Sequence, residues 1–577
     1  MIQVLKQKQW ILICIIGLIT RLIILPYSHV VDPDVFSRIF ISLEWLEKPH
    51  LISTAVWPPL HFYIMSFFLW LFPFDVLTPK LLHIAFAVAT AIPMYYFIKN
   101  EFNAKGAFWA TLFYQLSPIV FRNSFHALAE TPFVFFVVCS LYFISELFKH
   151  KEQITYAIWA GIFLTIACGI RYEGWVFIGF IGIVVLIRSG FKNAFVFGFF
   201  SMIFPLYWMI GNYLAEGDPL YSINSANYWN TVMEGVNEQI TDLDHRMRVM
   251  FFPFSVFLFL TPLLSIISVV TLIVQTLKRN VTWKHLLWSI PFIGIMLMYI
   301  QKTYDGSLLM HHRYSAIPLL FLSPYLSYFF SDKIVLTEKF KKIIATLIIT
   351  SAIPLSFYLH FIPFEKVFFF SPKLEEAISQ ILVSNYLQTE AVPHLYDKNA
   401  HKINEILNKE LKNTDGLIID FCGWEVSSFL ALESNLPHHQ ILLMEGAKNG
   451  INSPEQIAEF INKYPEGILL IQNESRIDEL VKIEGNCLQI KDTPHSIFVK
   501  KIFNGDGRYL LRYSSNTLCN TESKDEYEVL KNLDYYRMKI KNDKIWLKDV
   551  WRKAMHSNIS RDEAITRDAQ WMLENAE

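Results

Sequence analysis

The sequence predicts a polytopic α-helical membrane domain followed by a soluble α/β domain. Apolar runs long enough to cross a bilayer recur up to about residue 360, and beyond it short apolar runs alternate with helical patterns. With 53% hydrophobic residues, 18% charged residues and a mean hydropathy of +0.31, the chain is too apolar for a soluble globule and too charged for a bundle of spans alone. We therefore expect a membrane domain over residues 1–362 and a soluble domain over 363–577.

The N-terminus has the pattern of an uncleaved signal anchor. Lys6 and Lys8 precede an apolar run from about Trp10 to Leu25, and no small-x-small cleavage signature follows it. Ten further spans are expected near residues 79–98, 106–121, 127–148, 155–170, 174–187, 193–214, 251–277, 285–301, 314–330 and 343–361. The apolar run 57–73 is expected to lie in the outer interface without crossing, which gives about eleven spans in all.

The distribution of positive charge sets the expected orientation. If 57–73 does not cross, most Lys and Arg residues of the membrane domain fall in cytoplasmic loops, whereas a crossing there would reverse that bias. The predicted protein therefore has a cytoplasmic N-terminus and an extracytoplasmic C-terminal domain. We expect a plasma (inner) membrane, with the endoplasmic reticulum as the alternative. The net charge of −1 and the lack of a basic tract exclude nucleic acid as a partner.

The soluble part predicts a small α/β domain with a mainly parallel sheet. Short apolar runs at 416–421, 440–444 and 467–472 have the character of buried strands, and helical patterns near 401–412, 424–433 and 454–463 alternate with them. The sequence from Ser560 to Glu563 has the form of a capping box that opens a last helix. One disulfide among Cys422, Cys487 and Cys519 is compatible with the sequence, which does not choose the pair.

The first candidate site follows the first span, where Asp32 and Asp34 flank a proline. A carboxylate there could take a proton from an acceptor hydroxyl or hold a divalent cation, although Asp32 before proline also suits a plain turn. Arg21 lies inside the first span and needs a partner, for which Asp34 and a lipid phosphate are the candidates; snorkelling to the interface is the alternative.

Two more outer loops carry charged residues. The second contains Arg122, His126 and Glu130, of which the first two suit an anion, while Glu130 also suits the start of a helix. The third contains Arg171 and Glu173, which either pair with each other or neighbours or contact a sugar.

A late loop adds Lys302 and the run His311-His312-Arg313-Tyr314. Arginine and lysine are the usual phosphate ligands in proteins. Adjacent histidines point apart on most backbones and have no third ligand at a fixed spacing, so zinc is disfavoured here. Whether any metal is required stays open.

In this order, the motifs resemble those of a known family. They are the acidic first outer loop, the Trp57-Pro58-Pro59-Leu60 sequence, the acid in Ala129-Glu130-Thr131-Pro132, and Arg313-Tyr314 at the start of a late span. The pattern resembles the GT-C fold of integral-membrane glycosyltransferases, which includes protein O-mannosyltransferases, the aminoarabinose transferase acting on lipid A, and oligosaccharyltransferase catalytic subunits. The resemblance covers about residues 1–360.

The resemblance implies a polyprenyl-phosphate-linked sugar donor, an acceptor from the outer side, and inversion at the anomeric carbon. By position, Asp34 matches the catalytic acid of the first loop, with Asp32 as the neighbouring candidate, and Arg313 matches a ligand of the donor phosphate. Lys302, Arg122 and Arg21 are further candidates for that phosphate. The candidates for substrate contacts are Glu130, His126, Arg171, Glu173 and Tyr314.

Some features depart from individual members of that family. The C-terminal domain has no WWDYG sequence, which argues against an oligosaccharyltransferase, and the first loop lacks the Asp-Glu pair expected of a protein O-mannosyltransferase. The acceptor, whether lipid, glycan or protein, and the sugar therefore stay open. The main alternative is a transporter or flippase of lipid-linked sugars, but no internal repeat typical of such proteins is present.

Overall fold

The computed structural model describes most of the chain. In the N-terminal part it covers residues 8–28, 33–50, 56–233, 248–259, 262–277, 283–330 and 337–360. In the C-terminal part it covers 398–574 except for 421, 423, 435, 444–452, 473–476, 478–479, 485, 492, 494–495, 506–507, 518–535, 538–539, 541–549 and 551–560. Backbone proximity divides the chain into two compact units, one of residues 1–30 with 38–393 and the other of 31–37 with 394–577.

The first unit is built from helices. They are α1 (Gln9–Ile24), α2 (Pro33–Glu47, which begins in the second unit), α3 (Leu60–Leu71), α4 (Leu77–Glu101), α5 (Ala104–Gln115), α6 (Pro118–Asn123), α7 (Glu130–Lys149), α8 (Ile154–Cys168), α9 (Glu173–Ser201), α10 (Ile203–Glu216), α11 (Tyr221–Met233), α12 (Phe251–Phe259), α13 (Pro262–Leu277), α14 (Trp283–Tyr304), α15 (Ala316–Leu322), α16 (Leu326–Phe330) and α17 (Glu338–His360). Short 3₁₀ helices lie at Leu25–Tyr27, His312–Ser315 and Ser323–Tyr325.

Among the described residues, four helical stretches are long and apolar enough to cross a membrane: Leu77–Glu101, Glu130–Lys149, Glu173–Ser201 and His285–Tyr304. Helices α1, α3 and α8 and the stretch Leu263–Leu277 are apolar but shorter. At 1.5 Å per residue, the 12 residues of α3 span roughly 18 Å, less than the hydrocarbon core of about 30 Å. The predicted total of eleven spans stays a prediction.

Proline and glycine account for several helix boundaries. The predicted span 106–121 is two helices, because Pro118 opens α6 and has no N–H for continuing α5. The break predicted between 187 and 193 is a kink inside α9 at Gly190, whose φ of 82° suits only glycine well.

Much of the buried core of the helical unit comes from α4, α5, α7, α8, α9, α14 and α15. Helix α7 packs against α4 and α8, and α8 packs against α9. Where α8 meets α9, Gly161 allows a close approach, since a Cβ added there would lie 2.6 Å from Cβ of Phe200 and 2.8 Å from the carbonyl oxygen of Phe197. The polar ends of these packed helices carry the candidate site.

The second unit contains a seven-stranded sheet with the strand order β2-β1-β3-β7-β6-β5-β4. The strands are β1 (Gly416–Ile419), β2 (Ile441–Leu443), β3 (Glu466–Gln472), β4 (Val481–Glu484), β5 (Cys487–Ile490), β6 (Ser496–Gly505) and β7 (Arg508–Ser514). The helices are α18 (Lys398–Glu410), α19 (Trp424–Glu433), α20 (Pro454–Lys463) and α21 (Arg561–Glu574).

The prediction of a mainly parallel sheet is wrong. Only the pairings of β1 with β2 and of β1 with β3 are parallel, while β3–β7, β7–β6, β6–β5 and β5–β4 are antiparallel. The three predicted strands form the parallel part, and the antiparallel part comes from 481–514, for which no strand was predicted. The predicted last helix is present from Arg561, while Ser560 lies outside the described residues.

Candidate functional site

The centre of the candidate site is an ion-pair network around Arg171. Its Nη1 donates to Oε1 of Glu130 at 2.5 Å, and its Nη2 and Nε donate to the two carboxylate oxygens of Glu173 at 2.7 and 3.1 Å. Tyr299 donates its hydroxyl to the same Glu173 at 3.1 Å. Burial lowers the pKa of Arg171, but Glu173 and Glu130 outweigh burial and hold this pKa above its ordinary value. The planar guanidinium is therefore a fixed cation between two carboxylates.

Arg313 and Tyr314 complete this network from the 3₁₀ turn before α15. Nε of Arg313 lies 3.5 Å from Oε1 of Glu130. The guanidinium carbons of Arg171 and Arg313 lie 4.8 and 5.2 Å from the centroid of the Tyr314 ring. A tyrosine ring attracts cations through its π face. Tyr314 therefore holds two arginines close together that would otherwise repel each other.

Local sequence explains why the carboxylates lie where they do. Glu130 is in the first turn of α7, and Glu173 is in the first turn of α9. Acids are stabilised at helix N-termini by the helix dipole. Arg171 lies in the short turn between α8 and α9. From there its side chain contacts both Glu130 at the start of α7 and Glu173 at the start of α9. Glu130 thus lies at a helix start, as its sequence position indicates, and Arg171 pairs with Glu173 and a neighbour, which is one of the two predicted alternatives.

A second polar group lies on α2, α3 and α4. Nη1 of Arg38 is 3.4 Å from Nδ1 of His61, and Nε2 of His61 is 3.0 Å from Nε2 of His83. Arg38 also lies over the rings of Trp57 and Phe62, at 4.4 and 5.6 Å from their centroids. Electrostatic interactions connect this group to the ion-pair network, since Glu130 interacts with both Arg38 and His83.

Lys302 lies near the end of α14 and donates to Oδ1 of Asn227 on α11 at 2.8 Å. It also interacts electrostatically with Glu173. The histidines before Arg313 have separate surroundings: Nδ1 of His312 is 2.9 Å from Oγ of Ser255, whereas the ring of His311 lies beside Tyr314.

Arg21 is fully buried, and the contacts seen for it are with neutral groups. It donates to Oγ of Ser124 at 2.8 Å and to the carbonyl oxygens of Gly17 and Gln115 at 3.0 and 3.1 Å. This packing ties α1 to α5 and to the end of α6, which favours a structural role; its predicted role as a phosphate ligand stays a prediction. Arg122 and His126 are buried at the end of α6 and just beyond it.

Asp34 lies in the first turn of α2 and is partly buried. A helix N-terminus stabilises an ionised carboxylate. Asp32 lies outside the described residues. The assignment of these acids as catalytic stays a prediction.

No three His, Cys, Asp or Glu side chains come together as a metal site in the part of the chain that the structure describes. A divalent cation therefore stays a prediction without assigned ligands.

Sequence reasoning missed Arg38, His61, His83 and Tyr299 as members of the site. The sequence does contain a signal for the two histidines, because each of them interrupts an apolar run. Ionisable residues in membrane-spanning runs are costly and are therefore candidates for a functional role. Arg38 was read only as a loop charge. Tyr299 gave no signal in an aromatic-rich span.

Comparison with known proteins identifies the architecture. The crystal structure of ArnT from Cupriavidus metallidurans bound to undecaprenyl phosphate superimposes with a TM-score of 0.54 and 12% identity, covering 88% of this chain and 98% of that one. The apo state of the same protein gives 0.55, with the same identity and coverage.

The chain has the GT-C fold.

The predicted resemblance is thereby confirmed at the level of the fold. Within the GT-C domain, residues 56–208 match the family model described as dolichyl-phosphate-mannose-protein mannosyltransferase. The Archaeoglobus fulgidus oligosaccharyltransferase in its apo form is also similar, with a TM-score of 0.49 and 11% identity over 81% of this chain and 70% of that one. No curated protein matches the sequence.

Proposed function

We propose that the protein is a membrane glycosyltransferase that moves a sugar from a polyprenyl-phosphate-linked donor to an acceptor on the extracytoplasmic side. The observation that carries this proposal is the buried cluster of Arg171, Arg313 and Glu130 within a GT-C fold. Guanidinium groups at fixed positions are the usual ligands of phosphate in proteins. Undecaprenyl phosphate is bound in the similar ArnT structure, which supports a donor of that class.

The proposed reaction is a single displacement with inversion. The acceptor hydroxyl oxygen attacks the anomeric carbon while the bond from that carbon to the phosphate oxygen breaks, and the bonding electrons leave with the polyprenyl phosphate. Asp34 takes the proton from the acceptor hydroxyl, with Asp32 as the alternative base. Arg313, assisted by Lys302 or Arg122, stabilises the negative charge on the departing phosphate.

The network around Arg171 has a supporting part in this proposal. Its two carboxylates and Tyr314 fix Arg171 and Arg313 without a rearrangement when the phosphate charge develops. Charges that are already oriented act more strongly in a site away from water. Glu130, Glu173 and Tyr314 thus position the cations, and His126 lies on the same loop as a further candidate for substrate contact.

The test is sugar release from a panel of polyprenyl-phosphate sugars by the purified protein. We expect turnover or slow hydrolysis by the wild type, and a fall in kcat of about 10²- to 10⁴-fold for Asp34→Asn, because general base catalysis typically contributes that much. Asp218→Asn is the matched control: this loop carboxylate caps its own turn by accepting from the amide of Leu220 and from Asn224. It should leave turnover nearly unchanged.

Other outcomes would change the assignment. Activity that survives in a folded Asp34→Asn protein would move the base to Asp32 or Glu130. Binding of lipid-linked sugar without any consumption of donor would contradict the transferase and favour a flippase.

A further inference from the structure

The histidine pair on α3 and α4 forms one directed chain of hydrogen bonds that ends at Arg38. Nδ1 of His83 lies 2.7 Å from the carbonyl oxygen of Pro79, one turn earlier in α4. Nε2 of His83 lies 3.0 Å from Nε2 of His61, whose Nδ1 lies 3.4 Å from Nη1 of Arg38. Both imidazoles are buried.

The two ends of this chain determine where its protons are. A carbonyl oxygen only accepts, so Nδ1 of His83 carries a proton. A guanidinium only donates, so Nδ1 of His61 accepts and carries none. The remaining contact joins the two Nε2 atoms and needs one proton, which lies on His61 because its Nδ1 has none. His61 is therefore neutral and in a single tautomer, while His83 has a further hydrogen bond to the backbone of Leu128.

We propose that His61 and His83 are positioning residues that orient the guanidinium of Arg38 toward the anionic phosphate of the lipid-linked substrate. This inference rests on the proposed function and extends it to three residues that neither the sequence nor the fold comparison assigned. Arg38 donates to an imidazole anchored through His83 to the backbone of α4, so its guanidinium plane is fixed. The neutral imidazole of His61 accepts this hydrogen bond and adds no negative charge of its own.

The surroundings of Arg38 fit this role. Its guanidinium lies over the indole of Trp57, in the Trp57-Pro58-Pro59 turn that opens α3. Such stacking holds a guanidinium by its face. Arg38 also interacts electrostatically with Glu130, the carboxylate that pairs with Arg171 and Arg313. A phosphate bound by Arg171 and Arg313 would thus also be attracted by the positive charge of Arg38.

Two amide substitutions at His61 separate its hydrogen bond to Arg38 from its hydrogen bond to His83. Asn places an acceptor oxygen where Nδ1 was and so keeps the hydrogen bond from Arg38, whereas Gln places its amide where Nε2 was and keeps only the link to His83. The probe is undecaprenyl phosphate, with its dissociation constant measured for the full chain in lipid nanodiscs. We expect His61→Gln to weaken binding about tenfold, as for a lost hydrogen bond to a charged group. His61→Asn, which loses only the link to His83, should weaken binding clearly less.

A second experiment repeats the His61 substitution in a protein that carries Arg38→Gln. If His61 acts through Arg38, His61→Gln should weaken binding in the wild type but add almost nothing in the Arg38→Gln background. A purely structural histidine would instead lower the affinity, or the unfolding temperature, to the same extent in both backgrounds. The unfolding temperature of each variant shows whether it is folded.

The outcomes are distinct. If the wild type binds and His61→Gln and His61→Asn bind equally well, or if the two changes at 38 and 61 are additive, the positioning inference is wrong while the proposed function stands. If the wild type itself does not bind undecaprenyl phosphate and consumes no polyprenyl-phosphate sugar, the proposed function fails and the inference with it.

Discussion

Glu130 illustrates at the scale of single residues what the sequence could predict and what it could not. Its place at a helix start and the presence of charges in the loops of 171–173 and 311–314 were evident from residue type and position. The pairing was not, because Glu130 meets Arg171 and Arg313 only after several helices have packed. The same holds for His61 and His83, whose contact depends on how α3 lies against α4.

The buried pair of Glu130 and Arg171 leads to a prediction on stability. Removing one partner of a buried ion pair leaves an uncompensated charge, which typically costs about 3–5 kcal/mol. We expect Arg171→Gln, which removes the cation from both carboxylates, to lower the free energy of unfolding by about that amount, measured by denaturant titration in detergent. Glu130→Gln should cost less, because Arg171 keeps its pairing with Glu173. The double variant should lose clearly less than the sum of the two, because the residues are in direct contact.

A comparison with an exposed pair gives the control. Lys105 and Glu338 lie 2.7 Å apart but remain largely exposed, with side-chain exposures of 42% and 58%. Surface ion pairs contribute little, so Glu338→Gln should have almost no effect. Strictly additive losses for Glu130→Gln and Arg171→Gln would show that the pair does not couple in the folded protein.

At the scale of helices and strands, the prediction was good where one pattern dominates. Long apolar runs located most helices, and continuous apolar runs located β1, β2 and β3. The break at Pro118, inside the predicted span 106–121, was missed. Strands β4 to β7 were missed because they mix apolar residues with Lys, Arg and Gln. In β4, for example, Val481 and Ile483 alternate with Lys482 and Glu484, a two-residue period that is itself a strand signal.

The contact of α8 with α9 gives a prediction at this scale. Gly161→Ala places a methyl group 2.6 Å from Cβ of Phe200 and 2.8 Å from the backbone oxygen of Phe197, so the helices must separate. Overpacking of this kind typically costs about 1–3 kcal/mol. We expect a lower unfolding temperature for Gly161→Ala in detergent.

Gly179→Ala, in the partner helix α9, is the matched control. A Cβ at Gly179 meets nothing within 4 Å among the described residues. Replacing a helical glycine by alanine should then stabilise the protein by about 0.5–1 kcal/mol. The two substitutions are thus expected to shift the unfolding temperature in opposite directions, and equal shifts would contradict the close approach at Gly161.

At the scale of the whole molecule, the number of membrane crossings determines on which side of the membrane the soluble domain lies. Cys487 is disulfide-bonded, whereas Cys422 is free. Disulfides persist in oxidising compartments, which is consistent with the predicted extracytoplasmic location of the soluble domain. With a cytoplasmic N-terminus, that location requires an odd number of spans. The predicted eleven spans satisfy this requirement, and a twelfth crossing by α3 would not.

Reporter fusions on either side of α3 test this orientation. We expect alkaline phosphatase fused after residue 50 and after residue 75 to be active in both cases, because the distribution of Lys and Arg predicts that α3, which lies between these points, does not cross. A fusion at the C-terminus should be active as well, and a fusion after residue 151 inactive. Activity after residue 50 but not after residue 75 would mean that α3 crosses. Every later loop would then change sides, and Arg171, Glu130 and Arg313 would face the cytoplasm, where an extracytoplasmic acceptor could not reach them.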